Sequence, residues 1–284
     1  MAAGQHDRKV IFIIQARMSS TRLPGKILLP IPLGGGKPML KWITDALKES
    51  KYFQKIYIAS STNPLNDSLK LFCENEKISL NRGSENDVLS RFLNIISYEN
   101  SFNVVVRLTG DNPIIDINKL DKTISRHLNS IADYTYTTGL PLGMNFEIIN
   151  SESLRSLNHE NLKDSDKEHV TLFIKNNNHY AKQQVSFSNE FNIRATIDYP
   201  SDFVFVSTYL EYVLYNSIKV SSDSLQSFVQ SYPWVLDINK QNFQKKTLHT
   251  MEDEIEEALT ILEILEFNKL YTFLKSLDLN LFKK

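Results

Sequence analysis

Cysteine is almost absent from this sequence, since Cys73 is the only one among 284 residues. A single thiol excludes an intramolecular disulfide and a cysteine-based metal cluster, and it is typical of proteins kept in a reducing compartment. Cys73 lies in the segment LKLFCENE, whose apolar residues have helical spacing. This pattern predicts a small core side chain rather than a nucleophile.

Long apolar runs are also missing. No segment has the roughly 20 consecutive apolar residues that a membrane-spanning helix requires. The opening segment MAAGQHDRKV has no apolar stretch of the kind that a secretory signal contains. We therefore expect a cytoplasmic protein without a membrane partner.

Neither sign of charge predominates. The chain has 32 Lys and Arg against 33 Asp and Glu, a formal net charge of −1. Such a balance provides no broad positive field for nucleic acid or an anionic membrane, so neither is expected as a partner. Any anion-binding site must therefore be formed locally.

Glycine is scarce too, with nine residues, but four of them fall within residues 15–37. This segment follows VIFII (10–14), a β-branched and aromatic run typical of a strand that is covered on both faces. It begins with QARMSSTRLPGK (15–26), which places cations and hydroxyls directly behind the predicted strand.

Strand and helix patterns alternate from there to about residue 140. Predicted strands include KIYIAS, ISLNRG, NVVVRLTGD and DYTYTT, with helical patterns such as PMLKWITDALKES and DVLSRFLNIISYEN between them. The alternation implies right-handed crossovers and a mainly parallel, doubly wound (Rossmann-like) α/β sheet flanked by helices. Later strands are expected near NFEIIN, HYAKQQVSF and NIRATID, and the chain reads as mainly helical from about residue 202.

We expect one catalytic α/β domain over residues 8–240 and a helical extension over residues 241–284. In the extension, apolar residues recur at heptad-like intervals. The recurring residues are Ile255, Leu259, Leu262 and Leu265. They favour a helix that packs on its own domain, and a surface for a helical partner is the alternative.

Two polar segments should line one crevice. In open α/β sheets, ligands bind beyond the carboxyl ends of the strands. QARMSSTRLPGK and RLTGDNP each begin where a predicted strand ends. We therefore expect them to face each other across a binding cleft.

The first of these segments has the donors that a polyphosphate requires. Arg17 and Arg22 can each hold phosphate oxygens through two bonds, while Lys26 supplies a point charge. Ser19 and Ser20 add hydroxyl donors, so the segment favours phosphate binding over the alternative of a solvated basic loop. It is neither a P-loop nor a dinucleotide fingerprint, because the glycine spacing of both is absent.

The block VIFIIQARMSSTRLPGKILLPI resembles the opening of the cytidylyltransferases that make CMP-activated sugars. It is most similar to the spore-coat polysaccharide cytidylyltransferase-like branch, and more distantly to the CMP-Kdo and CMP-sialate synthetases. The resemblance continues in order through NRGSENDVLSRF, VVRLTGDNPIID, LPLGMNFEIINSESL, KEHVTLFI and IRATIDYPSDFVFV, over residues 9–240. It implies a nucleotide-diphosphosugar-transferase-like fold, CTP as the donor, a small-molecule sugar acceptor, Mg²⁺ as cofactor and a homodimer.

The same resemblance, with the chemistry of the first loop, assigns the nucleotide-binding and catalytic residues. The residues expected to bind the nucleotide are Gln15, Ala16, Arg17, Ser19, Ser20, Arg22, Lys26, Arg82, Gly83, Ser84 and Thr109. The residues expected to act in catalysis are Arg17, Arg22, Lys26 and Asp111.

Two aspartates are the expected metal ligands. Asp111 ends the predicted strand VVVRLTGD, and Mg²⁺ usually takes one or two carboxylates together with phosphate oxygens and waters. TGDNP alone would favour a plain turn, but beside the first loop and with the resemblance it favours a metal ligand. Related synthetases have a second aspartate, which the resemblance places at Asp198. Asp202 is predicted to cap the next helix.

The acceptor-binding residues come from two further blocks. LGMNFEII matches a family pattern Gly-x-Asp-x-Glu at Glu147, but Asn145 stands where aspartate is usual, so no negative charge is available there. Lys167, Glu168 and His169 stand where the family often has Arg-Glu-His. A pair such as Glu168 and His169 could orient the acceptor or transfer a proton. A surface pair at a helix N-terminus is the alternative.

Three other charged residues have open interpretations. Arg107 lies within an apolar strand, as either a buried ion-pair partner or a phosphate ligand. Asp87 and Arg91 are four residues apart and could form a helical ion pair.

The expected reaction is in-line attack of an acceptor oxygen on the α-phosphorus of CTP, with release of pyrophosphate. A glycosyltransferase that uses a ready-made nucleotide sugar is one alternative, and a non-catalytic nucleotide-sensing protein is another. The sequence does not identify the acceptor as an acidic sugar or a phosphorylated sugar or polyol.

Overall fold

The computed structural model describes residues 8–189, 191–242 and 251–276. Contacts within the chain divide it into two compact units, Met1–Lys240 and Gln241–Lys284. None of the helices in the described ranges has the length and apolar character needed to cross a membrane.

The elements follow each other in the alternating order that the sequence predicts. The strands are β1 (Val10–Gln15), β2 (Pro30–Ile31), β3 (Lys37–Pro38), β4 (Lys55–Ser61), β5 (Ser79–Gly83), β6 (Val104–Thr109), β7 (Tyr134–Thr138), β8 (Glu147–Asn150) and β9 (Lys182–Ser186). The α-helices are α1 (Met39–Lys48), α2 (Asp67–Glu76), α3 (Val88–Tyr98), α4 (Ile117–Leu128), α5 (Ser151–Ser156), α6 (Asp164–His169), α7 (Leu172–Asn176), α8 (Pro200–Tyr215), α9 (Ser222–Ser231), α10 (Met251–Ile264) and α11 (Asn268–Lys275). Short 3-10 helices cover Lys26–Leu28, Pro64–Asn66, Leu157–His159 and Pro233–Ile238.

The central feature is a seven-stranded sheet in the order β5-β4-β1-β6-β8-β7-β9. β5, β4, β1 and β6 are mutually parallel, β8 runs antiparallel to both of its neighbours, and β7 pairs in parallel with β9. β2 and β3 form a separate antiparallel hairpin. The predicted mainly parallel α/β sheet is confirmed.

β1 lies near the middle of the sheet and is covered on both faces. Phe12 and Ile14 belong to one apolar core, whereas Ile11 and Ile13 belong to the other. Because successive side chains of a strand point to opposite faces, an uninterrupted apolar run fits only a strand buried on both sides. The run VIFII therefore determines where the following polar loop begins.

One predicted strand is absent from the described sheet. In NIRATID, Arg194 forms only an isolated bridge with Leu142, so the prediction of a strand there is wrong. Ile193, Ala195 and Ile197 are buried, but loops rather than a sheet neighbour supply their backbone partners. An alternating apolar pattern indicates that every second side chain is buried. In this segment tertiary packing buries those side chains without pairing the backbone to a neighbouring strand.

The prediction for Cys73 is confirmed. It lies in α2 as part of the core with a side chain only 2% exposed. Burial raises the pKa of its thiol to about 11, which keeps the thiol protonated and unreactive at neutral pH.

In the second unit, α10 and α11 pack on each other. Of the residues at heptad-like intervals, Ile255, Leu259 and Leu262 lie on α10, and Leu265 directly follows it. A partner for these residues beyond the second unit stays a prediction.

His127 of α4 is a buried histidine with a testable pH response. Its Nε2 lies 2.9 Å from Asn150 Oδ1, and its Nδ1 lies 2.8 Å from Thr135 Oγ1. Because the amide oxygen only accepts, Nε2 carries the hydrogen. Burial lowers the pKa of the His127 imidazole to about 4, in spite of the hydrogen bond that its Nε2 donates to Asn150.

Between pH 6.5 and 4, the unfolded chain binds a proton at His127 that the folded protein does not bind. The free energy of unfolding should therefore fall by about 3 kcal/mol from this residue as the pH drops from 7 to 4. Urea unfolding at several pH values checks this, because the variant His127→Gln should lose this part of the pH dependence. Parallel pH curves for the two proteins would contradict it.

Candidate active site

The loop behind β1 is held in place by hydrogen bonds that its backbone donates to other segments of the chain. Ala16 N–H donates to Ala59 O at 3.2 Å, and Met18 N–H donates to Asn66 Oδ1 at 2.8 Å. Gly25 has a φ of 68° and starts the 3-10 helix that contains Lys26, a left-handed conformation that glycine adopts at little cost. The loop therefore presents its cations at the carboxyl edge of the sheet.

Lys26 links three separate segments. Its side chain is largely buried, and its Nζ lies 3.0 Å from Asp198 Oδ1 and 3.4 Å from Asp111 Oδ2. The same ammonium donates to Ile197 O at 2.5 Å. The structure thus brings together the first loop and the two aspartates expected to bind metal.

The two arginines of the loop also face carboxylates. Arg22 Nη2 lies 3.1 Å from Asp198 Oδ1, and its guanidinium stands 4.6 Å from the centre of the Tyr199 ring. Arg17 Nη1 lies 3.5 Å from Glu85 Oε1, and its side chain is half exposed. Each of the loop's cations has a negative partner across the cleft.

Asp198 is strongly biased toward its charged form. Besides Lys26 and Arg22, its Oδ2 accepts a hydrogen bond from Arg194 Nη2 at 3.0 Å. Burial opposes ionisation of this carboxyl, but the attraction of Lys26, Arg22 and Arg194 outweighs it, so the pKa of Asp198 lies below its ordinary value.

Asp202 caps α8 from its third residue, as predicted. Its Oδ2 accepts the backbone N–H groups of Asp198 and Tyr199, each at 3.0 Å. Its Oδ1 accepts from Arg194 Nε at 2.8 Å and from Asn239 Nδ2 at 3.0 Å. The fully buried Asp202 therefore positions both the backbone and the arginine beside Asp198.

The carboxyl edge of the sheet contains a cleft of about 690 Å³, within the usual range for small-molecule sites. The predicted site residues that line it are Gln15, Ala16, Arg17, Ser19, Ser20, Arg22, Lys26, Thr109, Asp111, Glu168 and Asp198. The structure adds Thr21, Ile27, Glu85, Asn86, Asp87, Val88, Arg91, Gly110, Asp164 and Lys167.

Arg82, Gly83 and Ser84 lie outside the residues that line this cleft. The Arg82 guanidinium donates to Ser61 O and Asn63 O, each at 2.9 Å, and pairs with Asp67. The predicted nucleotide contact of this segment therefore has no support from its placement. The residues that directly follow it line the cleft instead.

Glu85 is a cleft residue that the sequence reasoning missed. It accepts hydrogen bonds from Ser19 Oγ, at 3.1 Å, and from Ser61 Oγ, and it pairs with Arg17. Burial opposes its ionisation, but these partners lower its pKa below the ordinary value. It directly follows the RGS segment, and its position in the block NRGSENDVLSRF was the available signal.

The predicted helical ion pair between Asp87 and Arg91 is wrong. Asp87 precedes α3 and accepts from Ser90 N–H at 2.8 Å, so it is the N-cap. Arg91 is buried and donates to the carbonyl oxygens of Ser84 and Glu85. Bonds to the backbone thus replace the contact that the spacing predicted.

A second cavity of about 380 Å³ adjoins the cleft, because Thr109 lines both. Its lining residues are Arg107, Leu108, Thr109, Asn112, Ile115, Tyr134, Tyr136, Thr137, Thr138, Gly143, Asn145, Phe146, Glu147 and Lys175. It lies where β8 begins between β6 and β7.

In this cavity, Arg107 pairs with Glu147 and donates to Gln15 Oε1 at 3.0 Å. Of the two interpretations of Arg107, the ion pair is the one that the structure contains. Glu147 also accepts from Tyr134 Oη and from Thr171 Oγ1. Burial opposes ionisation of Glu147, but Arg107 and the two hydroxyls outweigh it and lower its pKa.

Asn145 and Lys175 give the cavity its remaining polar character. Asn145 Oδ1 accepts from Thr137 Oγ1 at 3.2 Å. Lys175 is exposed and has no ion-pair partner among residues 8–189, 191–242 and 251–276. The cavity therefore combines one available cation with amide and hydroxyl groups.

Glu168 and His169 end α6 rather than starting the next helix, so the alternative of a helix N-terminal pair is wrong. Glu168 lines the larger cleft, whereas His169 does not. Val170, with a φ of 57°, lies between α6 and α7.

A family model described as cytidylyltransferase matches residues 11–227. The Bacillus subtilis spore coat polysaccharide biosynthesis protein SpsF is 39% identical over 183 residues, which cover 63% of this chain and 74% of that protein. An 8-amino-3,8-dideoxy-manno-octulosonate cytidylyltransferase from Shewanella baltica is 27% identical over 195 residues, 67% of this chain and 70% of that protein.

Solved structures agree with the fold. A cytidylyltransferase from Leptospira borgpetersenii superposes with a TM-score of 0.72 at 26% identity, covering 86% of this chain and 100% of that one. A CMP:2-keto-3-deoxy-manno-octonic acid synthetase complexed with CTP superposes with a TM-score of 0.57 at 13% identity, covering 72% of this chain and 99% of that one. The second likeness concerns the fold alone.

Proposed function

Since this chain belongs to the cytidylyltransferase family, we propose that it transfers CMP from CTP to a sugar acid or to a phosphorylated sugar or polyol. Pyrophosphate is the second product, and the activated sugar serves the synthesis of a surface polysaccharide or another glycan. The similarity to a spore coat polysaccharide biosynthesis protein supports this use. The single buried thiol fits a reducing cytoplasm, where we place the reaction.

The observation that carries the proposal is the meeting of cations and carboxylates in one cleft. Arg22 and Lys26 come from the loop behind β1, and Asp198 comes from a segment more than 170 residues later, yet their charged atoms lie 3.0 to 3.1 Å apart. This arrangement offers positive charge to a phosphate chain and oxygen ligands to a divalent cation. Phosphoryl transfer requires such positioning more than it requires a covalent nucleophile.

Each loop residue has a definite task in this reaction. Arg17, Arg22 and Lys26 bind the β- and γ-phosphates and neutralise the charge of the departing pyrophosphate. The hydroxyls of Ser19 and Ser20 add donors to the same phosphates. We expect the acceptor oxygen to approach from the side of Thr109, which lines both the cleft and the adjoining cavity.

The residues present fit a magnesium ion. The carboxylates of Asp111 and Asp198 already converge on one cationic atom, Lys26 Nζ, and both are hard oxygen donors. The described residues contain no group of three or more His, Cys, Asp or Glu that could hold a metal, so two carboxylates with phosphate oxygens would form the site. When bound, Mg²⁺ supplies charge neutralisation at the transferred phosphoryl group.

The second cavity is the proposed place of the acceptor. It joins the cleft at Thr109, and Arg107 connects it to Gln15 through a hydrogen bond. Its carboxylate, Glu147, is already engaged by Arg107 and Tyr134, whereas the ammonium of Lys175 is available. An acceptor with a negative charge and several hydroxyls matches this lining.

Replacing Lys175 by alanine should therefore raise the KM for the acceptor about tenfold, the effect of losing one hydrogen bond to a charged group. The KM for CTP should stay unchanged, because Lys175 does not line the nucleotide cleft. Steady-state kinetics with each substrate varied in turn measure both values. Lys70→Ala, on the exposed surface of α2, is the control, and an equal KM for Lys175→Ala and the wild type would contradict the assignment.

The proposed function is tested by a pyrophosphate-release screen. The four nucleoside triphosphates are combined with Mg²⁺ and a panel of acidic sugars, sugar phosphates and polyol phosphates. Release with CTP and one acceptor class is the expected result. Turnover of a nucleotide sugar without pyrophosphate release would identify a glycosyltransferase, and metal-dependent CTP binding without turnover across the panel would identify a non-catalytic nucleotide-binding protein.

A homodimer is part of the proposal, because the resemblance to related synthetases implies one. Light scattering coupled to size-exclusion chromatography measures the mass directly, and a monomer at micromolar concentration would exclude it.

A further inference from the structure

Asp198 is surrounded by positive charge before any metal arrives. Lys26 Nζ, Arg22 Nη2 and Arg194 Nη2 lie 3.0, 3.1 and 3.0 Å from its two oxygens. Asp111, the second proposed ligand, shares Lys26 with it. A free divalent cation therefore meets carboxylates that are already paired.

Lys26 is well suited to hold this position. Its side chain is only 9% exposed, and its ammonium donates to Asp111, Asp198 and Ile197 O, which uses all three of its N–H groups. The ammonium thus sits between the two carboxylates, where a metal ion would bind both of them.

We propose that Lys26 is a resident cation that prevents a free divalent metal ion from binding to Asp111 and Asp198. Metal then binds there only together with the nucleoside triphosphate. This inference rests on the proposed function, since it assigns the two aspartates to the metal.

The charge balance explains the exclusion. The carboxylates of Asp111, Asp198 and Asp202 face the cations of Lys26, Arg22 and Arg194, so the negative charge that would attract a metal ion is already paired. A divalent ion alone would add two positive charges and displace the Lys26 ammonium. A largely buried ammonium without a carboxylate partner is unfavourable, so replacing Lys26 by a divalent ion at the two carboxylates is unfavourable too.

The triphosphate removes this obstacle, because it brings several negative charges of its own. Lys26 is a mobile point charge on a four-carbon stem and can turn to the phosphates, and Arg22 on the same loop can follow. The carboxylates are then available to the metal. Metal and nucleotide must therefore raise each other's affinity by the same factor.

Binding of Mn²⁺, followed by electron paramagnetic resonance, tests the inference without any turnover. The variant Lys26→Met removes the charge and keeps most of the length of the side chain. Without nucleotide, Lys26→Met should bind Mn²⁺ at least about tenfold more tightly than the wild type. Its melting temperature should rise with Mn²⁺ alone, and that of the wild type should not. Adding CTP, with CTP–Mn²⁺ alone as the blank, should promote Mn²⁺ binding to the wild type.

Matched variants assign the effect to this position. Lys41→Met removes a lysine whose ion pairs, to Asp45 and Glu76, lie outside the cleft, and it should bind Mn²⁺ like the wild type. Lys26→Arg keeps the cation and should also bind weakly. Adding Asp198→Asn to Lys26→Met should abolish the gained binding. Should Lys26→Met fail to fold, Lys26→Gln replaces it, because its amide retains a donor to the carboxylates.

Equal Mn²⁺ affinity of the wild type and Lys26→Met would overturn the inference, whether both bind tightly or neither binds. If CTP is turned over in the pyrophosphate screen and the affinities are nevertheless equal, the proposed function stands and the role of Lys26 is wrong. If no triphosphate is turned over but Lys26→Met gains binding that Asp198→Asn removes, the role of Lys26 stands and the proposed activity is wrong.

Discussion

Replacing Asp111 by asparagine is expected to lower kcat about 10²- to 10³-fold, the effect of deleting one preorganised charge at a phosphoryl-transfer site. Asparagine keeps the shape of the side chain but removes the negative charge that pairs with Lys26 and that we assign to the metal. The backbone carbonyl of Asp111, which accepts from Ile197 N–H at 2.9 Å, is unaffected. The cleft should therefore keep its form.

Pyrophosphate release at saturating CTP and acceptor measures this effect, and circular dichroism checks the fold. Asp121→Asn is the matched control, because Asp121 bonds Ser50 Oγ and Lys51 N–H and does not line the cleft. We expect it to retain the wild-type kcat. A folded Asp111→Asn enzyme with wild-type kcat would remove Asp111 from the catalytic set.

Replacing Asp202 by alanine is expected to lower the free energy of unfolding by about 3–5 kcal/mol, the cost of breaking a buried ion pair at one partner. Asp202 is fully buried, and its two oxygens accept from Arg194, from Asn239 and from two backbone N–H groups at the start of α8. Without it, the guanidinium of Arg194 loses the carboxylate that lies nearest to its Nε, and the cap of α8 is lost.

Urea unfolding measures this loss as a lower midpoint with an unchanged m-value. Asp223→Ala is the control, because Asp223 is likewise paired with a cation, Lys119, but its side chain is 79% exposed. An exposed ion pair contributes less than about 1 kcal/mol to the free energy of unfolding, so the urea midpoint of Asp223→Ala should hardly differ from that of the wild type. Equal midpoints for the two variants would show that the network around Arg194 does not stabilise the fold.

Local patterns were sufficient for most of the architecture. The apolar run in VIFII predicted a strand buried on both faces, and Phe12 and Ile13 do lie in opposite cores. The alternation of strand and helix patterns predicted the mainly parallel sheet, because such patterns depend on neighbours in the sequence. The pattern failed in NIRATID, where loop contacts rather than a strand neighbour bury the apolar side chains.

The site was predictable in its chemistry and less so in its contacts. Lys26 and Asp198 were both expected near phosphate or metal, and their direct contact fits that expectation. Glu85 was missed, and Arg82 was expected at the nucleotide although its guanidinium is bound to backbone carbonyls instead. Residue type indicates what a side chain can bind, but not which partner the fold brings to it.

Sequence patterns alone predicted most of the strands, the loop that follows β1, and the cations and hydroxyls in this loop that are typical of a phosphate site. The contact of Lys26 with both Asp111 and Asp198, residues 85 and 172 positions away in the chain, became visible only in the folded protein. Secondary structure follows from neighbouring residues, whereas the pairing of charges across a cleft depends on how the sheet arranges its strands. β6 lies directly beside β1, and this order brings the end of β6 to the loop that contains Lys26.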